Sequence, residues 1–472
     1  MVTLLFSLIF TPFVGFFGLF LIKKESVQKI FLTGVQLLVF LFSLPLFTFP
    51  LGNRFAVLFR WVWFESYQFS FTLGVDSFGV VFICLTSGLF LLNTLFFLKK
   101  QFFSVSFAQA FLFLQTALLL LFTAGNLIQF YVSWELVMLP LLYFFLFQNE
   151  GSNPKAQKAG LYFFFYNFAA SLAMFAGILI LYLFAIQNHR SIEFGDLPSI
   201  PPSVLSSALW VLFGFTFAVK TPLFFFHAWQ PQAYAKAPVF FVGIFAALVS
   251  KMGVLLLIRV AFPTLSPPPE LINYCFLVLA TIGIIYGGWL ALSHKNPYKI
   301  LAYSSLSHLN LLLFGLFNGS ALAFQGALFL SIQHALISFG LFWMLALSGN
   351  FKHHTPFIAQ GKRSLFFSQP YFAGLILVFA LANAGFPGFS GFVGEFSILL
   401  GGFSIHPLLT GFASLVVILS ASYSFVWLKS FLYETEFEST IAVMDRILLS
   451  FLAILLVVFG IYPVFLFSFF QV

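Results

Sequence analysis

Charged residues are scarce in this chain of 472 residues, because Asp, Glu, Lys and Arg together make up only 7% of it. A soluble globular protein carries about 25% of these residues, so the composition excludes an ordinary water-soluble enzyme. Apolar residues make up 61%, and apolar runs of ~20 residues recur from one end to the other. No polar stretch is long enough to fold as a separate aqueous domain. We therefore predict a single all-α membrane domain over residues 1–472.

Cysteine is equally scarce. Cys84 and Cys275 both lie inside apolar runs, and two cysteines are too few for an iron–sulfur cluster, which needs about four ligands. The chain also lacks a Gly-rich dinucleotide fingerprint and a phosphate-binding loop. We predict no cofactor and no redox centre in this chain. The net charge of +8 is attributed to loop cations that set the membrane topology, so nucleic acid is not predicted as a partner.

Fourteen segments between polar or Pro/Gly clusters have the length and apolarity of a membrane-spanning helix. The predicted spans cover residues 2–22, 30–50, 77–98, 107–124, 126–148, 156–186, 204–229, 238–262, 271–292, 297–318, 320–348, 370–402, 406–432 and 446–470. The segment 51–76 shows partial alternation instead, with aromatic and β-branched residues around Arg54, Arg60 and Glu65. This pattern predicts an interfacial β-hairpin.

The cations are distributed unevenly between the two sides that fourteen spans define. The odd-numbered loops and their helix ends hold Lys23, Lys24, Lys29, Lys99, Lys100, Lys155, Lys158, Lys236, Lys295, Lys299, Lys352, Lys362, Arg363, Lys429 and Arg446. The even-numbered loops and helix ends hold only Arg54, Arg60, Arg190 and Arg259. This bias supports the count of fourteen, because a missed or added span would scramble it. Both termini are then predicted to face away from the cytoplasm or matrix.

Three spans carry residues that interrupt helices: Pro140, Pro222 and the run Gly385–Gly388. Proline removes a backbone donor and glycine loosens a helix, so carbonyl groups become free to meet an ion or water. Broken helices in corresponding positions of two halves indicate a transport path. The seventh and twelfth spans are five apart, which fits five-helix repeats over residues 107–262 and 271–432. Helices within 1–106 would precede the repeats, and a helix within 433–472 would follow them.

Six ionisable residues lie inside predicted spans, where a charge costs roughly 3 kcal/mol on insertion scales. They are Glu135, Lys220, Lys251, His308, His334 and Glu395. Burial disfavours the charged form of such a group, and a nearby opposite charge favours it. Lys251 in mid-span is therefore expected to gain and lose a proton, while Glu135 sets how readily Lys220 releases its own. Together the six residues predict a proton relay.

These residues also have plainer interpretations. Glu135 and Lys220 could form a static ion pair, Glu395 could lie at a helix end, and a buried histidine often only hydrogen-bonds a neighbouring helix. Lys251 resists such an interpretation because its neighbours are mostly apolar and its side chain cannot easily reach water. A metal site is disfavoured, since the cations would repel the metal and no compact cluster of oxygen ligands is present. A triad of serines with His308 is the weakest alternative.

Two segments make the chain recognisable as a family member. KTPLFFFHAWQPQAYAKAP at 220–238 combines Lys, Pro, His-x-Trp and Ala-Pro, and AYSSLSHLNLLLFGL follows at 302–316. With Lys251 between them, they resemble the antiporter-like subunits of respiratory complex I, and the resemblance extends from Trp134–Glu135 to Glu395. In that family the charged residue of the twelfth helix is typically Glu in the branch of bacterial subunit M and mitochondrial subunit 4. It is Lys in the sibling branches and in multi-subunit sodium/proton antiporters.

The sequence departs from the family pattern at two positions of the first segment. Lys236 stands before the Ala-Pro pair where an acid is usual, and Gln230 stands where Leu is common. The loop contacts that the family makes in this segment, 220–238, are therefore not carried over to this chain.

The resemblance implies a fourteen-helix proton-translocating subunit of NADH:ubiquinone oxidoreductase, with two inverted five-helix repeats and discontinuous helices 7 and 12. The relay roles that it implies are a modulating ion pair of Glu135 with Lys220, a central carrier at Lys251, connecting groups at His308 and His334, and an exit-side group at Glu395. NADH, FMN, iron–sulfur clusters and ubiquinone would belong to other subunits of the complex. The implied partners are the other membrane-arm subunits, two of them similar antiporter-like subunits, and membrane lipids.

Two other functions stay open at this point: a subunit of a multi-subunit cation/proton antiporter, and a purely structural membrane scaffold. The compartment is predicted from the start of the chain, where the apolar stretch 2–22 follows no presequence pattern. The 76 phenylalanines are attributed to a bias towards U-rich codons. Both features favour a mitochondrially encoded protein of the inner membrane with its termini in the intermembrane space. A bacterial plasma membrane is the alternative.

Overall fold

The computed structural model describes residues 1–48, 55–64, 69–98, 103–147, 154–347, 369–434 and 441–470. Within these ranges, 12 helices are long and apolar enough to cross a membrane. Two further spans each consist of two shorter helices, and they fall where the seventh and twelfth spans are predicted. A helix or a pair of helices is therefore found at each of the fourteen predicted spans, and the predicted breaks in the seventh and twelfth are confirmed.

The spans are numbered in chain order, with the halves of each broken span called a and b. Spans 1 to 7 are Val2–Leu21, Glu25–Ser43, Ser77–Phe97, Val105–Thr123, Leu127–Phe147, Pro154–Gln187, and Val204–Lys220 (7a) with Trp229–Lys236 (7b). Spans 8 to 11 are Val239–Thr264, Glu270–Ser293, Pro297–Phe317 and Ala321–Leu347. Spans 12 to 14 are Pro370–Asn383 (12a) with Ser390–Ile405 (12b), Pro407–Ala413 with Leu415–Glu434, and Val443–Ile461. A 3-10 turn, Leu44–Thr48, extends span 2, and a short helix, Val464–Phe469, follows span 14.

Side-chain caps define the first residue of several spans. Asp76 accepts a hydrogen bond from the backbone N–H of Gly79 at the start of span 3, and Ser104 does the same for Phe107 at the start of span 4. Such caps satisfy backbone donors that have no partner inside the helix. Asn296 caps span 10, which begins with a proline at its first position, where the missing N–H is not needed.

The predicted hairpin is present. Strands β1 (Ala56–Phe64) and β2 (Phe69–Val75) pair antiparallel, from Ala56 opposite Val75 to Phe64 opposite Phe69, with two irregularities in register. Arg60 on β1 forms a salt bridge of 2.7 Å with Glu193, which ties the hairpin to the segment between spans 6 and 7. Positions 54 and 65, also part of the predicted hairpin, lie outside the described residues.

Two details of the predicted spans are wrong. Span 5 continues as one helix through Pro140, so this proline does not interrupt it; neighbouring groups in a membrane protein can compensate for the lost backbone bond. Span 7 does not end near residue 229, because span 7b reaches Lys236. Hydropathy misses span 7b because it is rich in polar residues. Its Gln230 and Tyr234 are buried inside the protein, so they do not need an apolar sequence around them.

Span 8 departs from α-helical geometry at two places that the sequence did not predict. Residues Val249–Lys251 form a 3-10 turn, and Leu257–Ala261 form a π-helical turn. Turns of these types inside longer helices frequently occur at functional positions. Both carry one of the few cations found within a span, Lys251 and Arg259.

The chain divides into two compact units. Unit 1 comprises Met1–Lys220 and Met252–Pro269, and unit 2 comprises Thr221–Lys251 and Glu270–Val472. Burial differs between the spans of unit 2: the most apolar 18 residues of span 11 are all buried, whereas 28% of those of span 14 are. The single membrane domain over 1–472 and the two inverted repeats stay predictions.

Candidate proton-relay site

Lys251 contacts His334 directly in the interior of unit 2. The Lys251 side chain is completely buried, and its Nζ lies 2.7 Å from Nδ1 of His334. Nζ also lies within hydrogen-bond distance of the Ser250 hydroxyl, at 3.1 Å, and the Ala246 carbonyl, at 3.3 Å. An ammonium at Nζ requires Nδ1 to accept, whereas a neutral amine lets Nδ1–H donate. The two arrangements differ by one proton transfer, so the contact is suited to passing a proton.

A second buried pair joins His308 to Glu395. Nε2 of His308 lies 3.1 Å from Oε1 of Glu395, and each side chain is only 5% exposed. The hydroxyl of Tyr423 lies 3.5 Å from the same nitrogen. A histidine between a carboxylate and a hydroxyl can bind and release a proton at that nitrogen. Glu395 therefore lies in the protein interior and not at an interfacial helix end.

A small cavity separates the two pairs. The rings of His308 and His334 have centroids 6.0 Å apart, too far for a direct hydrogen bond. The cavity between them is also lined by Gln333, Asn383 and Glu395, and it is just large enough for one water-sized molecule. Four predicted site residues thus form a series in the order Lys251, His334, His308, Glu395, with a single gap. His334, the later histidine in the sequence, is the one next to the lysine.

The break in span 12 makes room for the carboxylate of Glu395. Gly385 and Gly388 have φ angles of +67° and +94°, a backbone conformation that glycine adopts readily. A Cβ atom on Gly385 would lie 2.6 Å from Oε2 of Glu395. The glycine therefore has two roles, since it turns the chain and leaves space for the acid.

Lys220 and Glu135 lie in unit 1 and show a different arrangement. Nζ of Lys220 is 3.1 Å from Sδ of Met138 and 5.2 Å from the ring centroid of Trp134. It interacts electrostatically with Glu135, but no salt bridge within 4 Å joins the two groups in the described part of the chain. Oε1 of Glu135 is buried and accepts no hydrogen bond from a described residue. The modulating ion pair stays a prediction, and the thioether and indole contacts were not foreseen.

Arg259, which the sequence analysis counted with the helix ends of the even-numbered side, is buried. Its guanidinium is buried in the π-helical turn of span 8, where Nε and Nη2 bind Oδ2 and Oδ1 of Asp76 at 2.6 and 3.0 Å. The same group donates to the carbonyls of Leu121 and Phe122. These carbonyls belong to the last turn of span 4, where backbone acceptors lack helical donors. The contact joins spans 3, 4 and 8 within unit 1, and the sequence did not indicate this partner for Arg259.

Sequence reasoning also missed the uncharged polar residues around the histidines. Asn383 donates to the hydroxyls of Ser424, at 2.8 Å, and Ser304, at 3.2 Å, and Tyr423 contacts His308 as described above. A search for charged residues inside spans cannot detect such groups. Their signal would have been a polar side chain in mid-span, which is costly to bury without a partner. Among the residues that the structure describes, no group of three or more His, Cys, Asp or Glu could hold a metal ion.

Comparison with known proteins places this site within a family. Residues 124–421 match the family described as NADH:quinone oxidoreductase/Mrp antiporter, TM. The chain belongs to this family. All six predicted relay residues fall within the matched range of this NADH:quinone oxidoreductase/Mrp antiporter family.

Named relatives in the family resemble the chain over most of its length. The chain is 32% identical over 470 residues to NADH-ubiquinone oxidoreductase chain 4 of Chondrus crispus, covering 96% of this chain and 93% of that protein. It is 31% identical over 369 residues to NADH-quinone oxidoreductase subunit M of Rickettsia felis, covering 77% and 73%.

Solved structures agree with the family assignment. A chain of respiratory complex I from Thermus thermophilus with bound NADH superposes with a TM-score of 0.85 at 26% identity, covering 99% of this chain and 98% of that one. A chain of the Mrp complex from Dietzia sp. DQ12-45-1b gives a TM-score of 0.83 at 17% identity, covering 98% of this chain and 50% of that one. The second likeness establishes a shared fold.

Proposed function

We propose that the chain is a proton-translocating membrane-arm subunit of NADH:ubiquinone oxidoreductase. The observation that carries this proposal is the pair of buried contacts in unit 2, Lys251 with His334 and His308 with Glu395. Four ionisable groups on four different spans are otherwise hard to explain in an apolar interior, where each is expensive to bury. The names of the relatives in Chondrus crispus and Rickettsia felis support the same function.

The proposed proton path in unit 2 follows the order of the contacts. Protonated Lys251 transfers its proton to Nδ1 of His334, and the imidazole releases a proton from its other nitrogen. A water molecule in the cavity between the two histidines would carry the proton from His334 to His308. Nε2 of His308 then passes it to Glu395, which returns to the carboxylate form by releasing it towards the exit side. Each step moves one proton between two groups, and an imidazole that accepts at one nitrogen and releases from the other has to return to its starting tautomer before the next proton.

Lys220 and Glu135 form the input part of the proposed relay. Lys220 has Met138 and Trp134 as its nearest partners, and neither is an anion. A negative charge on Glu135 favours the protonated form of Lys220, so a change at Glu135 affects whether Lys220 keeps its proton. Energy would reach this pair from redox chemistry in other subunits, which hold the NADH, FMN, iron–sulfur and ubiquinone sites. Lys220 would then pass its proton on.

The proposed setting is the mitochondrial inner membrane, with the other membrane-arm subunits as partners and two of these similar to this chain. The relatives named NADH-ubiquinone oxidoreductase chain 4 in Chondrus crispus, Arabidopsis thaliana and Marchantia polymorpha support it. The bias of cations towards the odd-numbered loops supports termini in the intermembrane space. The relative from Rickettsia felis keeps a bacterial plasma membrane as the alternative setting.

The decisive test is substitution of Lys251 in the assembled complex. Lys251→Ala removes the amine, and Lys251→Arg keeps a positive charge that does not release its proton in proteins. Both are expected to lower the number of protons moved per NADH oxidised, measured in proteoliposomes, while a native gel shows an intact complex. Lys295→Ala is the matched control because this lysine is exposed between spans 9 and 10. Normal pumping by Lys251→Ala would contradict the relay.

A cation/proton antiporter is the second candidate, since the family description includes Mrp antiporters and the fold matches a chain of an Mrp complex. This candidate predicts sodium-driven proton exchange in preparations free of NADH-oxidising subunits. Purification of the chain together with NADH-oxidising subunits would favour complex I. A scaffold role predicts that both Lys251 variants pump normally.

A further inference from the structure

The bend between spans 7a and 7b, residues 221–228, is held by Asn310 of span 10, within unit 2. Nδ2 of Asn310 donates to the carbonyl oxygen of Pro222 at 3.0 Å. Its Oδ1 accepts a hydrogen bond from the backbone N–H of Phe224 at 3.2 Å. One amide side chain thus binds a backbone acceptor and a backbone donor of the same bend.

The N–H of Phe224 and the carbonyl of Pro222 both lack their helical hydrogen-bond partners because of the bend. In a continuous α-helix, N–H of Phe224 would donate to the carbonyl of Lys220, and the carbonyl of Pro222 would accept from Phe226. N–H of Phe226 instead donates to Leu223 at 3.0 Å. Unpaired backbone groups are unfavourable in a buried position. Asn310 therefore replaces two hydrogen bonds that a straight helix would have made.

The site around the amide is shaped to hold it. Asn310 is completely buried, and Nδ2 also donates to Leu306 at 2.7 Å on its own helix. A Cβ atom on Gly283 of span 9 would lie 2.1 Å from Oδ1 and 2.3 Å from Cγ of Asn310. Only glycine at position 283 leaves room for the amide in this orientation.

The bend itself is strained, which indicates that contacts impose it. Phe225 has a φ of +80°, a conformation rarely adopted by residues other than glycine. Such a conformation persists where the surrounding structure holds it. Thr221 adds a second contact, since its hydroxyl donates to the carbonyl of Ser250 at 2.7 Å.

We propose that Asn310 is a positioning residue of the proton relay: its amide keeps span 7 broken directly after Lys220, with Gly283 providing the space. The inference rests on the proposed function, because the direction in which the chain leaves Lys220 affects activity only if Lys220 handles protons. Without the amide, the freed backbone groups favour helical pairing or a different bend. Either change alters the backbone that directly follows Lys220.

The test uses two substitutions on different spans in the assembled complex. Asn310→Leu keeps the size of the side chain and removes both hydrogen bonds, and Gly283→Ala forces the amide out of place. Each is expected to lower the protons moved per NADH to the level of Lys251→Ala, while electron transfer from NADH to an artificial acceptor stays unchanged. The double variant is expected to fall no further than either single variant, because both break the same contact.

Two controls match the size and place of these changes. Asn318→Leu removes a buried asparagine at the end of span 10. The amide atoms of Asn318 bind no described residue. Gly374→Ala adds a methyl group at a helical glycine with open space around it. Both are expected to pump normally.

Each result decides between the two proposals. Normal pumping by Asn310→Leu, with loss in Lys251→Ala, would overturn the role of Asn310 and leave the proposed function intact. Normal pumping by Lys251→Ala would overturn the proposed function itself. If Asn310→Leu and Gly283→Ala both fail to assemble while the two controls assemble, the contact is structural and the positioning role is refuted.

Discussion

Neutralising Asp76 is expected to destabilise the protein strongly, because it leaves a buried positive charge without its partner. The side chain of Arg259 is 1% exposed and that of Asp76 is 15% exposed. Two hydrogen bonds join them, at 2.6 and 3.0 Å. Asp76→Asn preserves the shape of the side chain and an oxygen that can still cap span 3. The substitution removes the negative charge, and its amide nitrogen cannot accept the hydrogen bond that Oδ2 of Asp76 accepts from Nε of Arg259.

The expected magnitude follows from the burial of the pair. Removing one partner of a buried ion pair costs about 3–5 kcal/mol, whereas an exposed helical pair contributes roughly 0.3–0.5 kcal/mol. Glu25 and Lys29 form such an exposed pair, with the two side chains 63% and 29% exposed and their charged atoms 2.5 Å apart. The shorter distance does not make it the stronger pair, because water screens it. Asp76→Ala adds the loss of the helix cap, about 1 kcal/mol.

The assay measures the half-life of the intact complex at a fixed elevated temperature. The loss of this chain from the complex is monitored over time. A penalty of about 3–5 kcal/mol corresponds to roughly a 10²- to 10³-fold shorter half-life or more, where the pair breaks in the rate-limiting step. Glu25→Gln is the control and is expected to change the half-life about twofold. Asp76→Leu combined with Arg259→Met is expected to recover much of the loss, because no charge is left buried. The reasoning is refuted if Asp76→Asn changes the half-life no more than Glu25→Gln does.

Two other substitutions test the break in span 12 and its acid. Glu395→Gln keeps the size of the side chain but cannot bind and release a proton. The complex is therefore expected to assemble and to move fewer protons per NADH oxidised. An unchanged number of protons per NADH in proteoliposomes would show that Glu395 is not part of the relay. Gly391→Ala is expected to reduce the amount of assembled complex on a native gel, because a Cβ there would lie 2.0 Å from the carbonyl oxygen of Ala382. Equal amounts from Gly391→Ala and Gly374→Ala would show that this close approach is unimportant.

The local properties of the sequence were enough to predict the spans, the hairpin and the six ionisable residues. Hydropathy is a property of neighbouring residues, and a stretch of ~20 apolar residues has few alternatives to a spanning helix. The break in span 12 was also visible, because the run Gly385–Gly388 combines two glycines, which loosen a helix, with Pro387, which removes a backbone donor. Lys251 was identifiable as unusual because its neighbours in the sequence are mostly apolar.

Local patterns were insufficient where a distant residue compensates for a polar group or a proline. Span 5 stays helical at Pro140, and span 7b forms a helix from polar residues, because surrounding protein and not lipid faces them. The partner of Arg259 was not predicted because Asp76 is 183 positions away in the sequence. No pattern within a single helix reports such a contact.

The sequence by itself therefore determined which residues lie in the membrane and which of them are chemically unusual there. Only the tertiary structure decided which of those residues meet: Lys251 with His334, His308 with Glu395, and Asn310 with the bend of span 7. The physical reason is that burial depends on the composition of a segment, whereas a proton transfer depends on a separation of about 3 Å between side chains on different helices. That separation is set by how the helices pack, and packing is a property of the whole fold.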